Sequence, residues 1–176
     1  MMELQELYQQ YLQSTGVCTD TRKIQTGNIY FALKGDNFDG NQFAAQALQN
    51  GASLAVVDNP SVVMDGAILV EDVLQTLQQL ANYHRRQCPQ VKVFAITGSN
   101  GKTTCKELVT RVLSKKYRTY ATQGNFNNHI GVPLTILAWE KDIEVAVIEM
   151  GANHQGEIAA LCEIAEPDYG LITSIG

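Results

Sequence analysis

A lysine and a hydroxyl residue directly after a glycine-bounded loop can do phosphate chemistry, and Gly98-Ser99-Asn100-Gly101-Lys102-Thr103-Thr104 offers that arrangement. Glycine lets the main chain turn tightly, so successive N–H groups converge on an anion at the positive end of the helix that follows. Lys102 can then reach the β- and γ-phosphates of a triphosphate, and the Thr103 hydroxyl can hold a magnesium ion. The general phosphate-loop pattern is G-x-x-x-x-G-K-[ST]. Here only Ser99 and Asn100 separate the two glycines, so a purely structural strand-to-helix turn is the competing reading.

A second candidate is Glu149, which closes the apolar run Val145-Ala146-Val147-Ile148. Ligands of open parallel sheets bind outside the carboxyl ends of the strands, which places this acid for Mg²⁺; otherwise it is a helix N-terminal charge. Thr103 and Glu149 supply part of an octahedral shell, to be completed by phosphate oxygens and water. The loop Gln123–His129 carries Asn125, Asn127 and Asn128, which either form local turns or contact a ligand. His154 either caps the helix through Ile158, Leu161 and Ile164 or orients groups around Glu149.

The elements that must position these residues follow from periodicity. Val91, Val93, Phe94, Ala95 and Ile96 read as a strand covered on both faces. From Thr104 a helix is expected, with Lys106, Glu107, Leu108, Val109, Val112 and Leu113 at its spacing. A strand at Arg118–Ala121, a helix from Pro133 to Trp139, the strand ending at Ile148 and a last strand at Gly170–Gly176 complete an alternation typical of a parallel sheet.

The first half alternates in the same way on a smaller scale. Leu4, Leu7, Tyr8, Tyr11 and Leu12 mark a helix face, and strands are expected at Val17–Thr19, Ile29–Leu33, Ser53–Val57 and Ala67–Val70. A helix at 42–50 ends at Gly51, and another begins near Asp72 with Val73, Leu77, Leu80, Ala81 and His84 on one stripe. His84 reads as a packed or half-exposed histidine rather than a ligand. Arg85–Gln90 is the expected linker, giving domains at 1–86 and 91–176. Thr21, Arg22 and Lys34 fall at expected strand ends, where they either bind a diphosphate or pyrimidine edge or form a solvated polar loop.

Composition narrows the classes. With 45% hydrophobic residues, the 176-residue chain can bury a core. A formal charge of −5 disfavours nucleic acid as a partner. Cys18, Cys88, Cys105 and Cys162 show no metal-ligand spacing and read as free thiols. Neither a signal segment nor a bilayer-length apolar run is evident, so no membrane insertion and a cytoplasmic location are expected.

The shortened loop resembles that of the Mur ligases and folylpolyglutamate synthases, a superfamily of ATP-dependent amide-forming enzymes. Gly124–Leu137, Glu149–Ile158, Asp20-Thr21-Arg22-Lys23, Phe31–Gly35 and Phe38-Asp39-Gly40 narrow the resemblance to the Mur ligases that act on D-alanyl-D-alanine, over essentially the whole chain. Asn41 stands where many relatives have histidine.

The resemblance implies a small amino-terminal UDP-binding α/β domain followed by a truncated, parallel-sheet, P-loop ATPase-like central domain. It implies ATP and Mg²⁺ as cofactors, and UDP-N-acetylmuramoyl-tripeptide and D-alanyl-D-alanine as substrates joined through an acyl phosphate. Catalytic roles are implied for Lys102, Glu149 and His154, metal binding for Thr103 and Glu149, and substrate contacts for Thr21, Arg22, Lys34, Asn125, Asn127 and Asn128. Ser99 to Thr104, with Gly98, would hold the nucleotide, and Lys102, Thr103 and Glu149 would converge on one polyanion and its counterion. The alternatives are another Mur-type ligase, folylpolyglutamate synthase, or a non-catalytic UDP-sugar binding module. A carboxy-terminal domain and further central-domain loops of the family are not among these residues, so the chain is expected to be inactive by itself and, through an unprotected sheet edge, to self-associate or to have a less stable second half.

Overall fold

The computed structural model describes residues 2–175, and the chain divides into two compact units, Met1–Leu80 and Ala81–Gly176. The first unit opens with α1 (Leu4–Gln13), which buries Leu7, Tyr8 and Tyr11 but leaves Leu12 exposed. Its sheet is wholly parallel, in the order β1 (Val17–Cys18), β2 (Ile29–Phe31), β5 (Leu54–Val57), β6 (Ala67–Leu69). Tyr30, Ala32, Ala55 and Val57 pack with Ala44 and Ala47 of α2 (Ala44–Gln49) into one core. Small residues on the helix let it lie close to the sheet.

Between β2 and α2 the chain makes a hairpin, β3 (Lys34–Gly35) with β4 (Phe38–Asp39). Lys34 therefore sits on this hairpin rather than at the end of a strand running to Leu33.

Helix α3 (Val73–Gln87) buries the expected stripe of Val73, Leu77, Leu80, Ala81 and His84. It also corrects the expected linker, because Arg85, Arg86 and Gln87 form its last turn. Arg85 is held there by acceptors: its guanidinium donates to Ala165 O at 3.1 Å, to Glu166 O at 3.0 Å and to Asp168 Oδ2 at 2.9 Å. Polar residues before a proline read as a linker in sequence, whereas here the arginine satisfies the carbonyls at the end of a later helix.

The second unit is a four-stranded parallel sheet in the order β10 (Tyr169–Ile172), β7 (Lys92–Thr97), β9 (Val145–Glu149), β8 (Thr119–Ala121). Helices α4 (Lys102–Leu113), α5 (Gly131–Leu137) and α6 (Glu157–Ala165) connect the strands. Helix α4 packs through Cys105, Val109 and Leu113 on Ile96, Val145 and Val147. The expected apolar face of α4 is thus partly corrected: Leu108 and Val112 are 59% and 71% exposed, while Lys106 is buried. Helix α5 begins at Gly131 rather than at Pro133, because the Asn128 side chain supplies the acceptor for its first turn. The last strand ends at Ile172, and Thr173 and Ser174 leave it as a loop.

Candidate functional site

The carboxyl ends of β7, β9, β8 and β10 lie along one edge of the second unit, and the glycine loop, the asparagine loop and Glu149 follow them, whereas Thr21, Arg22 and Lys34 belong to the first unit. Ile96 of β7 is in register with Glu149 of β9, so the glycine loop leaves the sheet directly beside that acid. The loop can make this turn because Gly98 and Gly101 hold φ values of +134° and +80°, which side chains oppose. At Gly98 a Cβ would also overlap Thr173 Oγ1.

Helix α4 starts at Lys102, with Gly101 as its N-terminal cap and Cys105 N–H donating the first intrahelical bond to Gly101 O at 2.9 Å. The amides of Lys102, Thr103 and Thr104 therefore belong to the turn whose N–H groups lack intrahelical partners. Thr103 and Thr104 are exposed. Lys102 Nζ donates to Gly98 O at 2.6 Å and lies 3.4 Å from Ser99 O, which folds the ammonium over its own loop. The Ser99 and Asn100 amides are differently committed: Ser99 N–H donates to Ser174 O at 3.0 Å and Asn100 N–H to Ser174 Oγ at 2.9 Å. Thr173 Oγ1 also donates to Asn100 O. Nothing in the sequence signals this brace, since Thr173 and Ser174 read there as strand.

Glu149 is 2% exposed. Its N–H donates to Thr122 Oγ1 at 3.0 Å, and its Oε1 accepts from Asn127 Nδ2 at 2.9 Å. Its Oε2 is buried without a hydrogen-bond partner among the described residues. A buried carboxylate oxygen left without a donor is costly, and a hard divalent cation is the ligand such an oxygen suits. Glu149 Oε2 therefore fits a magnesium ion, for which the exposed hydroxyl of Thr103 at the start of α4 would be the second protein ligand. Among the described residues no trio of His, Cys, Asp or Glu gathers into a metal-binding cluster, so such an ion would draw the rest of its shell from phosphate and water.

The asparagine loop divides its labour. Asn127 touches Glu149, and its backbone carbonyl accepts from Gly151 N–H at 2.8 Å. Asn128 Oδ1 accepts from Ile130 N–H at 3.1 Å and Gly131 N–H at 2.8 Å, the local-turn role open to any asparagine. Asn125 is exposed. His154 is exposed as well, and its backbone N–H donates to Glu157 Oε2 at 3.1 Å. The side chain of Glu157, rather than that of His154, gathers the turn before α6: it also accepts from Asn153 N–H, and these two bonds hold its carboxyl below the usual range.

In the first unit Thr21, Arg22 and Lys34 are tied by local contacts. Thr21 O accepts from Asn50 Nδ2 at 3.0 Å. Arg22 is exposed and forks onto Asp20, donating from Nε at 2.9 Å and Nη2 at 2.8 Å, which holds the Asp20 carboxyl down at about 2. Lys34 Nζ pairs with Asp58 Oδ1 at 2.8 Å. Asn41, 1% exposed, links this pair to the hairpin, donating to both Asp58 Oδ1 and Asp39 Oδ1 at 2.8 Å and accepting from Asp58 N–H. The residue that departs from the family pattern is thus a buried bridge.

His84 is packed, with its ring centroid 6.0 Å from that of Trp139 and its nitrogens about 4 Å from Cys88 Sγ. All four cysteines are free.

Known proteins resemble the chain in sequence and in fold. The family model for the Mur ligase middle domain matches residues 96–176, and the one described as Mur ligase family, catalytic domain, matches residues 13–85. The UDP-N-acetylmuramoyl-tripeptide--D-alanyl-D-alanine ligase of Bacillus subtilis (strain 168) is 45% identical over 172 residues, covering 95% of this chain and 37% of the relative. Its counterpart from Escherichia coli (strain K12) is 42% identical over 159 residues, covering 90% and 35%. Among solved structures, MurF from Acinetobacter baumannii matches with a TM-score of 0.85 at 38% identity, covering 96% of this chain and 41% of that one. MurF ligase from Thermotoga maritima in complex with ADP matches with a TM-score of 0.84 at 35% identity, covering 100% and 39%. The chain therefore spans little more than a third of the length of the relatives it matches.

Proposed function

The chain belongs to the Mur ligase family, and from that premise we propose that it forms the UDP-substrate and nucleotide-binding part of an ATP-dependent ligase joining D-alanyl-D-alanine to UDP-N-acetylmuramoyl-tripeptide. The observation that carries the reading is Glu149, a buried acid with one oxygen that has no partner among the described residues, in register beside the strand that feeds the glycine loop. ATP would transfer its γ-phosphoryl group to the terminal carboxylate of the peptide, releasing ADP. The amine of the dipeptide would then attack the acyl phosphate and expel inorganic phosphate. Both partners in the first step are anions, so positioning and charge neutralisation carry the catalysis.

In this reading Lys102 and the amides at the start of α4 hold the β- and γ-phosphates. Thr103 and Glu149 would hold Mg²⁺, which when bound would supply neutralisation of developing phosphate charge. Asn127 fixes the Glu149 carboxylate, Asn125 and Asn128 border the same site, and His154 orients groups around it. Thr21, Arg22 and Lys34 contact the UDP moiety, with residues 1–86 as the UDP-substrate domain and 91–176 as the nucleotide-binding region. For Arg22 and Lys34 this requires exchanging the Asp20 and Asp58 carboxylates for the diphosphate, a swap of one anionic partner for another.

A cytoplasmic location accords with this substrate, and no helix among the described residues is long and apolar enough to cross a membrane. Self-association belongs to the same proposal: β10 is an outer strand of its sheet, and Tyr169 and Ile172 on it are 58% and 61% exposed. A single monomeric boundary in sedimentation velocity would overturn that part.

The test is calorimetry of the chain with Mg·ATP and, separately, with the UDP-N-acetylmuramoyl peptide. Binding of both is expected. UDP-sugar binding without any nucleotide binding would overturn the ligase reading in favour of a non-catalytic sugar-nucleotide module.

A further inference from the structure

Lys106 stands on α4 four residues after Lys102, one helical turn further from the loop, yet it is 4% exposed. Burying an ammonium is costly unless its N–H groups are matched by acceptors. One acceptor is Glu107 Oε1 at 2.9 Å, on a side chain that is itself 57% exposed. An ion pair of that kind forms equally well at the surface and gives no reason for burial.

The other acceptor is Thr122 O, also at 2.9 Å, and it lies inside the unit. Thr122 is 1% exposed and follows directly on β8. Its N–H donates to Val147 O at 3.0 Å, and its Oγ1 accepts the Glu149 N–H at 3.0 Å. One residue thus receives the ammonium of the loop helix on its carbonyl and the backbone of Glu149 on its hydroxyl. A slot that needed only filling would be served better by leucine or methionine, which avoid the desolvation cost.

We propose that Lys106 is a positioning residue that fixes Glu149 relative to the glycine loop, acting through Thr122. The proposal rests on the nucleotide-binding reading above. Lys106 ties α4, whose first turn carries Lys102 and Thr103, to the end of β8, and Thr122 ties that end to Glu149. Asn127 holds the Glu149 carboxylate from the other side. The loop and the acid then keep one spacing, which a divalent ion shared between Thr103 and Glu149 requires, since Mg²⁺ tolerates little departure from its preferred geometry.

The experiment titrates Mg²⁺ into the chain at fixed ADP, followed by calorimetry, for the wild type, Lys106→Met, Thr122→Val and the double variant, with melting temperatures recorded in parallel. Each single variant is expected to raise the Mg²⁺ concentration at half-saturation by about tenfold, as loss of a supporting shell does at metal sites. The double variant should be no worse than the worse single one, because both cut the same connection. Thr122→Val keeps the side-chain shape and carries the test if Lys106→Met does not fold. Melting temperatures that fall while the Mg²⁺ half-saturation stays at the wild-type value would show a merely structural lysine and overturn the proposal, as would multiplying effects in the double variant. A wild type that binds ADP with Mg²⁺ while the variants are unchanged sinks this inference only. A wild type with no Mg²⁺-dependent ADP binding sinks the nucleotide reading as well.

Discussion

Asn127 Nδ2 donates to Glu149 Oε1 at 2.9 Å, and the second oxygen of the same carboxylate is buried without a partner among the described residues. The asparagine therefore fixes the plane of the acid while leaving one oxygen for another ligand. Glu149→Gln removes the charge at nearly constant shape. It is expected to weaken Mg²⁺-dependent nucleotide binding at least tenfold and to leave the melting temperature equal or higher, because an unsatisfied buried carboxylate destabilises the fold. Asn127→Ala should act oppositely on stability, leaving both oxygens unpaired at a cost of about 1–3 kcal/mol. Calorimetry and thermal melts of the two variants check the contrast, and a lower melting temperature for Glu149→Gln would contradict it.

Among the described residues the Lys102 ammonium bonds to carbonyls of its own loop, Gly98 O and Ser99 O. Removing it takes nothing from the core. Lys102→Ala should therefore lower Mg·ATP affinity by about tenfold or more, as loss of a charge-assisted contact worth about 1.5–3 kcal/mol does, with a melting temperature close to that of the wild type. A melting temperature many degrees lower, with affinity retained, would mean that the lysine only braces the loop.

Much of this arrangement is legible in the sequence, and most of the exceptions share a cause. The strand from Lys92, the loop and the helix after it follow from local periodicity and glycine placement, and Glu149 follows from an apolar run ending in an acid. What escapes is whatever depends on a partner distant in the chain. Arg85 is helical and buried because its acceptors are Ala165, Glu166 and Asp168, some 80 residues later. The Ser174 brace on Ser99 and Asn100 spans 74 residues or more, and nothing in the spacing of Lys106 points to Thr122 as its acceptor. No window of local pattern contains both members of the Arg85 and Ser174 pairs, and Lys106 and Thr122, 16 residues apart, are joined by packing that periodicity does not report.

The Arg85–Asp168 pair makes an acid-sensitive joint. Burial pushes the Asp168 carboxyl up, but the Val93 N–H, Lys92 and Arg85 outweigh it and hold the group below the ordinary 3.8. A carboxyl lowered by folding stabilises the native state above its unfolded value, and that contribution is lost as pH falls through the folded value. Asp168→Asn should cost about 2 kcal/mol at neutral pH, discounted from a fully buried pair because the carboxylate is 24% exposed. It should also flatten the loss of stability below about pH 4. Urea midpoints of wild type and variant between neutral pH and pH 3 check both, and parallel curves would exclude the joint.

His84 titrates in a different window. Burial against Trp139 and Cys88 pushes it from 6.5 down to about 4, so the unfolded chain takes up a proton that the folded chain refuses. Between those two values the unfolded state binds more protons, and native stability must fall as pH falls; above 6.5 the histidine contributes no slope. His84→Phe keeps an aromatic ring against Trp139 and removes the proton site. The variant is therefore expected to lose less stability than the wild type between pH 6.5 and pH 4 while the steeper loss below pH 4, assigned to Asp168, persists. The two groups are thereby separable in one set of urea titrations. A proton NMR titration giving His84 an ordinary histidine value, or a His84→Phe curve parallel to the wild type across that window, would show that the ring is hydrated in the folded protein and that its packing against Trp139 is not what sets its acidity.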